Sequence, residues 1–366
     1  MQNRLIEDFL RVLQTIDHKE QDIYATHLLT LKVKVDDKLL QKSDLTILIG
    51  ANAINTMLTN HLNHALFMRS IFELKSAKTL VETIIWVYKT YMARGFTHRY
   101  FFYELLAWIE SIEELNLAIP HIKTLYQLMV DKHELFISLA HIDDSIHVDS
   151  QFETNYKAFV QAILLPDINQ AMDISNEFIQ NNEDIALFWQ GVILPSLYEV
   201  GRQWANNMIT VGREHLATSI VQKVMALHYP KILNRIEFDA KRIVVACSPN
   251  ELHEVGARMV SDLLELQGFN VLFLGANTPN SGIIDIIKLK SPIAIAISTT
   301  LVGNVVAVKE LIEEINKEPG IENLKTIVGG QAYLADEALW KETKADFYAN
   351  NISDMIEYIE SFNGSD

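Results

Sequence analysis

The sequence predicts a multidomain protein that is all-α over its first two thirds and α/β at its C-terminal end. Three observations predict it. From residue 241 onward, short apolar runs alternate with helical stretches, the pattern of a parallel sheet with helices on its faces. Before that point apolar residues recur at spacings of three and four with few breakers, which is a helical pattern. Two polar stretches, His141 to Gln151 and Asn234 to Lys241, divide the chain into blocks expected at 1–148, 152–234 and 241–366. With 366 residues and 49% hydrophobic residues there is material for two to three cores.

The first block is dense in aromatic and histidine residues. Helices are expected over Ala53 to Leu74, Glu104 to Leu115 and Ile122 to Leu139, and the block is long enough for a globin-like or bundle domain of its own. His61 and His64 stand three residues apart, so both can share one helical face, and His133 lies in the last of these helices. Between them, Tyr88 to Tyr103 combines Lys89, Arg94 and Arg99 with Tyr88, Tyr91, Tyr100 and His98. Cations that grip carboxylates beside rings that sandwich a flat ligand are the parts of a haem or linear tetrapyrrole pocket. Taken singly, each histidine also reads as a boundary residue with satisfied hydrogen bonds.

The second block, from about Phe152 to Leu233, is helical in pattern, with Pro166 and Pro195 as punctuation. It holds Trp204 and, ten residues on, Glu214-His215. An indole suits a flat apolar ligand face, and a carboxylate suits a pair of ribose hydroxyls. Alone, these residues read rather as a core tryptophan beside a solvated Glu-His pair.

The third block opens with the apolar run Arg242 to Cys247, followed by Glu251-Leu-His253-Glu-Val-Gly256 and a helical pattern over Val255 to Gln267. A histidine between a buried strand and its helix stands at the carboxyl edge of the sheet, where open α/β folds bind ligands. There its imidazole can meet a metal, while Glu251 takes the proton on the other ring nitrogen and fixes the tautomer. Gly256 leaves room for a bulky ligand to approach the backbone. Further runs follow at Val271 to Leu274, Ile293 to Ile297 and Thr326 to Val328, ending respectively in Gly275-Ala-Asn-Thr-Pro279, Ser298-Thr-Thr-Leu301 and Gly329-Gly330. Small and hydroxyl residues therefore gather at one sheet edge.

These residues carry a resemblance. From about Lys241 to the C-terminus the chain resembles the cobalamin-binding domains of corrinoid methyltransferases, mutases and CarH-type photoreceptors, whose fold is a Rossmann-like (flavodoxin-like) five-stranded parallel sheet. The resemblance implies His253 as lower axial cobalt ligand, replacing the cofactor's own base, whose tail threads into the domain. It assigns Ser298 and Thr300 to the Ser-x-Leu/Thr element and Gly329 and Gly330 to the tail channel. The family's commoner first residue is Asp; Glu251 is the choice of the CarH-type branch.

The spacing from Trp204 to Glu214-His215 resembles the Trp-x9-Glu-His signature of the four-helix cap in CarH-type proteins. That resemblance implies an indole over the upper face of adenosylcobalamin, with Glu214 and His215 around the adenosyl group. One departure stands out: those proteins follow the Trp with a histidine that captures cobalt after photolysis, and this chain has Ala205. Alanine has no donor atom, which leaves His215, His228 or water for that role. The order of the whole chain is similar to the photocobilin group, which implies a bilin such as biliverdin in the N-terminal domain. With Cys247 placed in the third block, no cysteine thioether would hold it.

Composition sets the remaining bounds. A formal net charge of −16 and the absence of a Lys-Arg run oppose binding to nucleic acid, which needs a positive patch. The single cysteine excludes an intrachain disulfide and fits the cytoplasm. No apolar run approaches the ~20 residues of a membrane span, and the N-terminus lacks a signal-peptide core. The expectation is a cytoplasmic light sensor without catalytic residues, binding adenosylcobalamin and a bilin. It would signal to a partner protein or effector enzyme, as a homo-oligomer. Its rivals are a corrinoid shuttle for methyl transfer, a haem sensor, and, least favoured because no eight βα units are present, an adenosylcobalamin radical enzyme.

Overall fold

The computed structural model describes residues 2–142, 145–236 and 242–363, so each expected interdomain stretch lies partly outside the described residues. The chain forms two compact units. One is Met1–Asp143 with Ala205–Asn207; the other is Asp144–Trp204 with Met208–Asp366.

The first unit is built from eight helices: α1 (Gln2–Leu13), α2 (His18–Leu40), α3 (Leu45–Ile49), α4 (Ile54–Leu74), α5 (Ala77–Ala93), α6 (His98–Glu114), α7 (Pro120–Asp131) and α8 (His133–Ala140). Local chemistry sets their ends. Asp17 and Ser76 cap α2 and α5 with side-chain oxygens, and Pro120 opens α7 where its missing N–H is no loss. The buried Glu20 carboxylate accepts the N–H groups of His121 and Ile122, so a negative charge sits on the positive end of α7. The expected Ile122 to Leu139 helix is two helices, and a turn at residues 94–97, with Gly95 at φ +93°, divides the Tyr88 to Tyr103 segment between α5 and α6.

The second unit joins a helical cap to a sheet domain. In the cap, α9 (Glu153–Leu164), α10 (Ile168–Phe178), α11 (Asn182–Phe188), α12 (Leu194–Ala205) and α13 (Val211–Leu233) make four rods, because a π turn at Trp189–Ile193 runs α11 directly into α12. Pro195 therefore does not punctuate the chain as expected. A proline inside a helix lacks one hydrogen-bond donor and crowds the preceding turn, and a local π widening is one way a helix accommodates this.

The sheet domain runs β1 (Arg242–Cys247), α14 (Val255–Leu266), β2 (Asn270–Gly275), α15 (Asn280–Lys290), β3 (Ala294–Ser298), α16 (Val305–Lys317), β4 (Lys325–Gly329), α17 (Gln331–Ala335), α18 (Leu339–Glu342), β5 (Phe347–Tyr348) and α19 (Ile352–Asn363). All strands are parallel in the order β2-β1-β3-β4-β5, the Rossmann-like arrangement expected. The order reverses direction at β1 and β3. Loops leaving those two strands part at that point and form the crevice in which such sheets bind ligands.

Cap and sheet domain share one core, which is why they do not separate. Val255, Met259, Leu263 and Leu266 on α14 pack among cap residues such as Phe188, Trp189, Val221 and Met225. Beneath this apolar seam lies a polar one. Asp262, fully buried, accepts from Trp189 Nε1 at 3.2 Å and Arg258 Nε at 2.8 Å, and Tyr229 donates to Glu265 at 3.4 Å. Burial and the nearby Asp262 push the Glu265 carboxyl up to about 7.

A raised acid pKa favours the fold below that value and ceases to do so as pH climbs through it. Unfolding in urea should therefore show stability falling between about pH 4.5 and 7, by on the order of 2 kcal/mol, from this group. Glu265→Gln should flatten that slope; an unchanged slope would place its origin elsewhere.

Candidate functional site

The carboxyl ends of β1, β2 and β3 converge on one residue, Glu251. Ser248-Pro249-Asn250 sets it up: Pro249 favours the second position of a tight turn, and Asn250 takes the left-handed region at φ +64°. The Glu251 N–H closes that turn onto Ser248 O at 3.1 Å. Its side chain, wholly buried, then accepts six hydrogen bonds. Oε1 takes the N–H groups of Leu252 and His253 at 3.1 Å and His253 Nδ1 at 2.5 Å. Oε2 takes the N–H groups of Thr300 and Leu301 at 3.0 and 2.9 Å and Asn304 Nδ2 at 3.1 Å. Its carbonyl accepts from Asn277, at 3.0 Å, so the loop after β2 is tied in as well.

This network orients His253. With Nδ1 donating to Glu251, Nε2 carries the free lone pair, and the ring stands at the surface with its side chain 59% exposed. Burial alone would raise the Glu251 carboxyl. The hydrogen bonds from the His253 side chain and from the Leu301 and His253 backbone outweigh burial and hold it at about 2. Reciprocally, the bond to Glu251 raises the His253 imidazole above its ordinary value against burial, and the Glu214 carboxylate adds to the rise. Glu214 lies on the cap helix α13, so its effect places the cap's acidic residue within electrostatic reach of the exposed imidazole.

The donor set fits a metal-centred ligand that needs one neutral imidazole. Gly256 adds room, since a Cβ there would meet no protein atom within 4 Å. Ser298 and Gly329 are register partners at the ends of β3 and β4, on the sheet face that also carries Ala294 and Ala296 against α14 and α19. Gly330 is fixed for a different reason. Its φ is +106°, and a Cβ would come within 2.6 Å of Thr299 O. Thr300 is placed here by its N–H bond to Glu251.

On the cap, Trp204 is partly buried and packs on the cap core at the end of α12. Near the start of α13, Glu214 Oε2 is 2.5 Å from His215 Nδ1, and Glu214 Oε1 accepts from Thr218 at 3.1 Å. His215 is exposed. His228, the other candidate to replace a histidine at position 205, is buried in the cap with Nε2 at 3.0 Å from Ser175 Oγ, so it cannot reach a ligand at this site.

The N-terminal residues do not converge in the same way. His61 has both ring nitrogens engaged, Nδ1 with Asp36 at 2.7 Å and Nε2 with Tyr100 at 2.9 Å. His64 bonds Tyr126 at 3.1 Å, and His133 bonds Tyr88 at 2.7 Å. His98 is exposed, Arg99 is exposed and paired with Asp44, and Arg94, just past the end of α5, donates to Thr90 O. Tyr91 packs against Phe96 and Phe101. Core hydrogen bonds take both ring nitrogens of His61 and one each of His64 and His133.

Sequence reasoning missed Asn304, whose amide completes the Glu251 network, and Glu254, which accepts from Gln222 of α13 at 3.1 Å and from the Ala276 N–H at 3.2 Å. Neither has a local signal, because each partner lies more than 20 residues away in the chain. Among the described residues no cluster of three or more metal-ligating side chains occurs and no helix is long and apolar enough to cross a membrane.

Two family profiles, both described as B12 binding domain, match this chain, one over residues 156–228 and one over residues 241–353. Trimethylamine corrinoid protein 1 of Methanosarcina acetivorans is 26% identical over 169 residues, 45% of this chain and 76% of that protein. The methionine synthase of Mycobacterium leprae is 32% identical over 91 residues, 25% of this chain, and the match spans only 8% of that enzyme. A solved structure, the monomethylamine corrinoid protein of Methanosarcina barkeri, is 17% identical with a TM-score of 0.48, covering 57% of this chain and 98% of that one. The chain contains a cobalamin-binding module, composed of the cap and the sheet domain.

Glu251→Gln should turn an N–H toward donors that now meet a carboxylate. A loss of about 2–3 kcal/mol on urea unfolding is expected at neutral pH. Glu251 favours the fold above its ordinary carboxyl range, and that contribution fades as pH drops toward 2, so the variant should also lose this acid sensitivity. In an NMR titration the His253 imidazole of the variant should fall back toward 6.5.

Proposed function

We propose that this chain is a corrinoid carrier, in which His253 would hold the cobalt and a partner protein would exchange a methyl group with the bound cofactor. The observation that carries this reading is the free Nε2 of His253, held in its tautomer by Glu251. When bound, the cofactor supplies a cobalt centre that accepts and releases an alkyl group. Glu251 would offset positive charge on a metal-bound imidazole, and the buried hydrogen bonds hold the ring in one orientation. The cap, with Trp204 and the Glu214-His215 pair, would cover the bound cofactor between encounters with the partner. The relatives named as corrinoid proteins support the carrier over a sensor, and the partner would be a methyltransferase.

A second reading is favoured by one feature of the cap. Glu214, ordered by Thr218 and His215 and within electrostatic reach of His253, suits the hydroxyls of a nucleoside, and Trp204 suits its apolar side. In that reading the bound cofactor would be adenosylcobalamin, which would supply a light-labile group beside Trp204 and Glu214, and the cap would shift when that packing element is lost. A bilin such as biliverdin in a globin-like N-terminal domain would be the second chromophore, held without a cysteine, since Cys247 is buried in β1.

Loading the full chain with methylcobalamin or adenosylcobalamin in darkness, then following absorbance and size under green light, separates the two. The carrier reading expects methylcobalamin to bind and the protein's size to stay constant in light. Tight binding of adenosylcobalamin alone, with a size change on illumination, would replace it with the sensor. In either case His253→Ala should weaken binding at least tenfold and abolish the spectrum of a displaced cofactor base; persistence of that spectrum removes the ligand assignment.

A further inference from the structure

Between α13 of the cap and the start of α14 lies a cavity of about 130 Å³, beginning one residue beyond His253. Its walls are apolar, formed by Met225, Ala226, Val255 and Phe273. Its polar groups are Gln222, Glu254 and Arg258, and they are not equivalent. Glu254 is an acceptor only; Oε1 meets the Gln222 amide and Oε2 the Ala276 N–H, with further lone pairs on each oxygen. Arg258 donates through Nε to Asp262 and lies over the rings of Tyr229 and Phe273, which leaves its other N–H groups as donors. The volume holds roughly four water-sized groups, the size of a short methylene arm ending in a small polar head.

We propose that this cavity receives one peripheral carboxamide arm of the bound corrinoid and selects it over the corresponding carboxylic acid. The inference rests on the reading that the chain binds a corrinoid. A primary carboxamide offers two N–H donors and one carbonyl acceptor, which complement Glu254 on one side and Gln222 or Arg258 on the other. The methylenes of the arm would lie against Met225 and Phe273. Charge sets the selectivity: the one cation, Arg258, is already paired with the buried Asp262, so Glu254 leaves an excess of negative charge beside the cavity. A carboxylate arm would face that excess, whereas a neutral amide does not. Glu254 also spans cap and sheet domain, so filling the cavity would hold the cap to the loop that carries the cobalt ligand.

The test is a set of absorbance titrations of the full chain with cobalamin and with its monocarboxylic acid derivatives, each bearing one hydrolysed amide. One derivative should bind about tenfold more weakly than cobalamin, and Glu254→Gln should bring its affinity to within about twofold of cobalamin. Ala226→Leu, which fills the cavity, should weaken cobalamin itself by about tenfold and erase the same discrimination. Equal binding of all derivatives by the wild type, discrimination that survives in Glu254→Gln, or an Ala226→Leu chain that binds normally would each overturn the proposal. These outcomes leave the corrinoid reading standing as long as the wild type binds cobalamin with a His253-dependent spectrum. Absence of any such binding would remove that reading instead.

Discussion

One buried carboxylate holds the candidate site together. Glu251 has no exposure to solvent and accepts six hydrogen bonds, three from its own loop and three from the loop after β3, while its carbonyl fixes the loop after β2. A desolvated negative charge is costly unless it is fully bonded, and here four of the six donors are backbone N–H groups and two are the side chains of His253 and Asn304. The charge and the loops stabilise each other. His253 benefits from the arrangement: one nitrogen completes the carboxylate's shell, and the other is presented outward with its tautomer fixed.

The same unit places two further carboxylates, Asp262 and Glu265, where burial is not outweighed and the net shift is upward. Around Glu251, hydrogen-bond donors are abundant and the carboxyl is held at about 2; at the seam, Glu265 has Asp262 nearby and its carboxyl is pushed up to about 7. The number of donors decides the sign. The ligand loop is thereby built to stay ionised and rigid, whereas the seam between cap and α14 depends on a proton.

Much of this was legible in the sequence where partners are close along the chain. The apolar runs located β1 to β4 to within a residue or two, and the Glu251–His253 pair was readable because only Leu252 separates the two. The two-residue β5 was too short to show as an apolar run. The remaining donors to Glu251 lie 49 to 53 residues away and only the β1-β3 pairing brings them in. Asp262 and Trp189, 73 residues apart, were hidden for the same reason, and so was the fusion of cap and sheet domain into one unit. Pro195 misled because a proline normally ends a helix, and no sequence pattern announced the π turn. In the N-terminal unit, composition suggested a ligand pocket, but hydrogen bonds such as His61 with Asp36 and Tyr100 use the same residues to build a core.

The most direct test is electron paramagnetic resonance of the protein loaded with cob(II)alamin, prepared with [15N]histidine. If His253 is the lower ligand, the cobalt lines are split into doublets by its 15N nucleus, and the doublets disappear in His253→Ala. Triplet splitting from a 14N ligand in the labelled protein would mean that the cofactor keeps its own base, and would contradict the account.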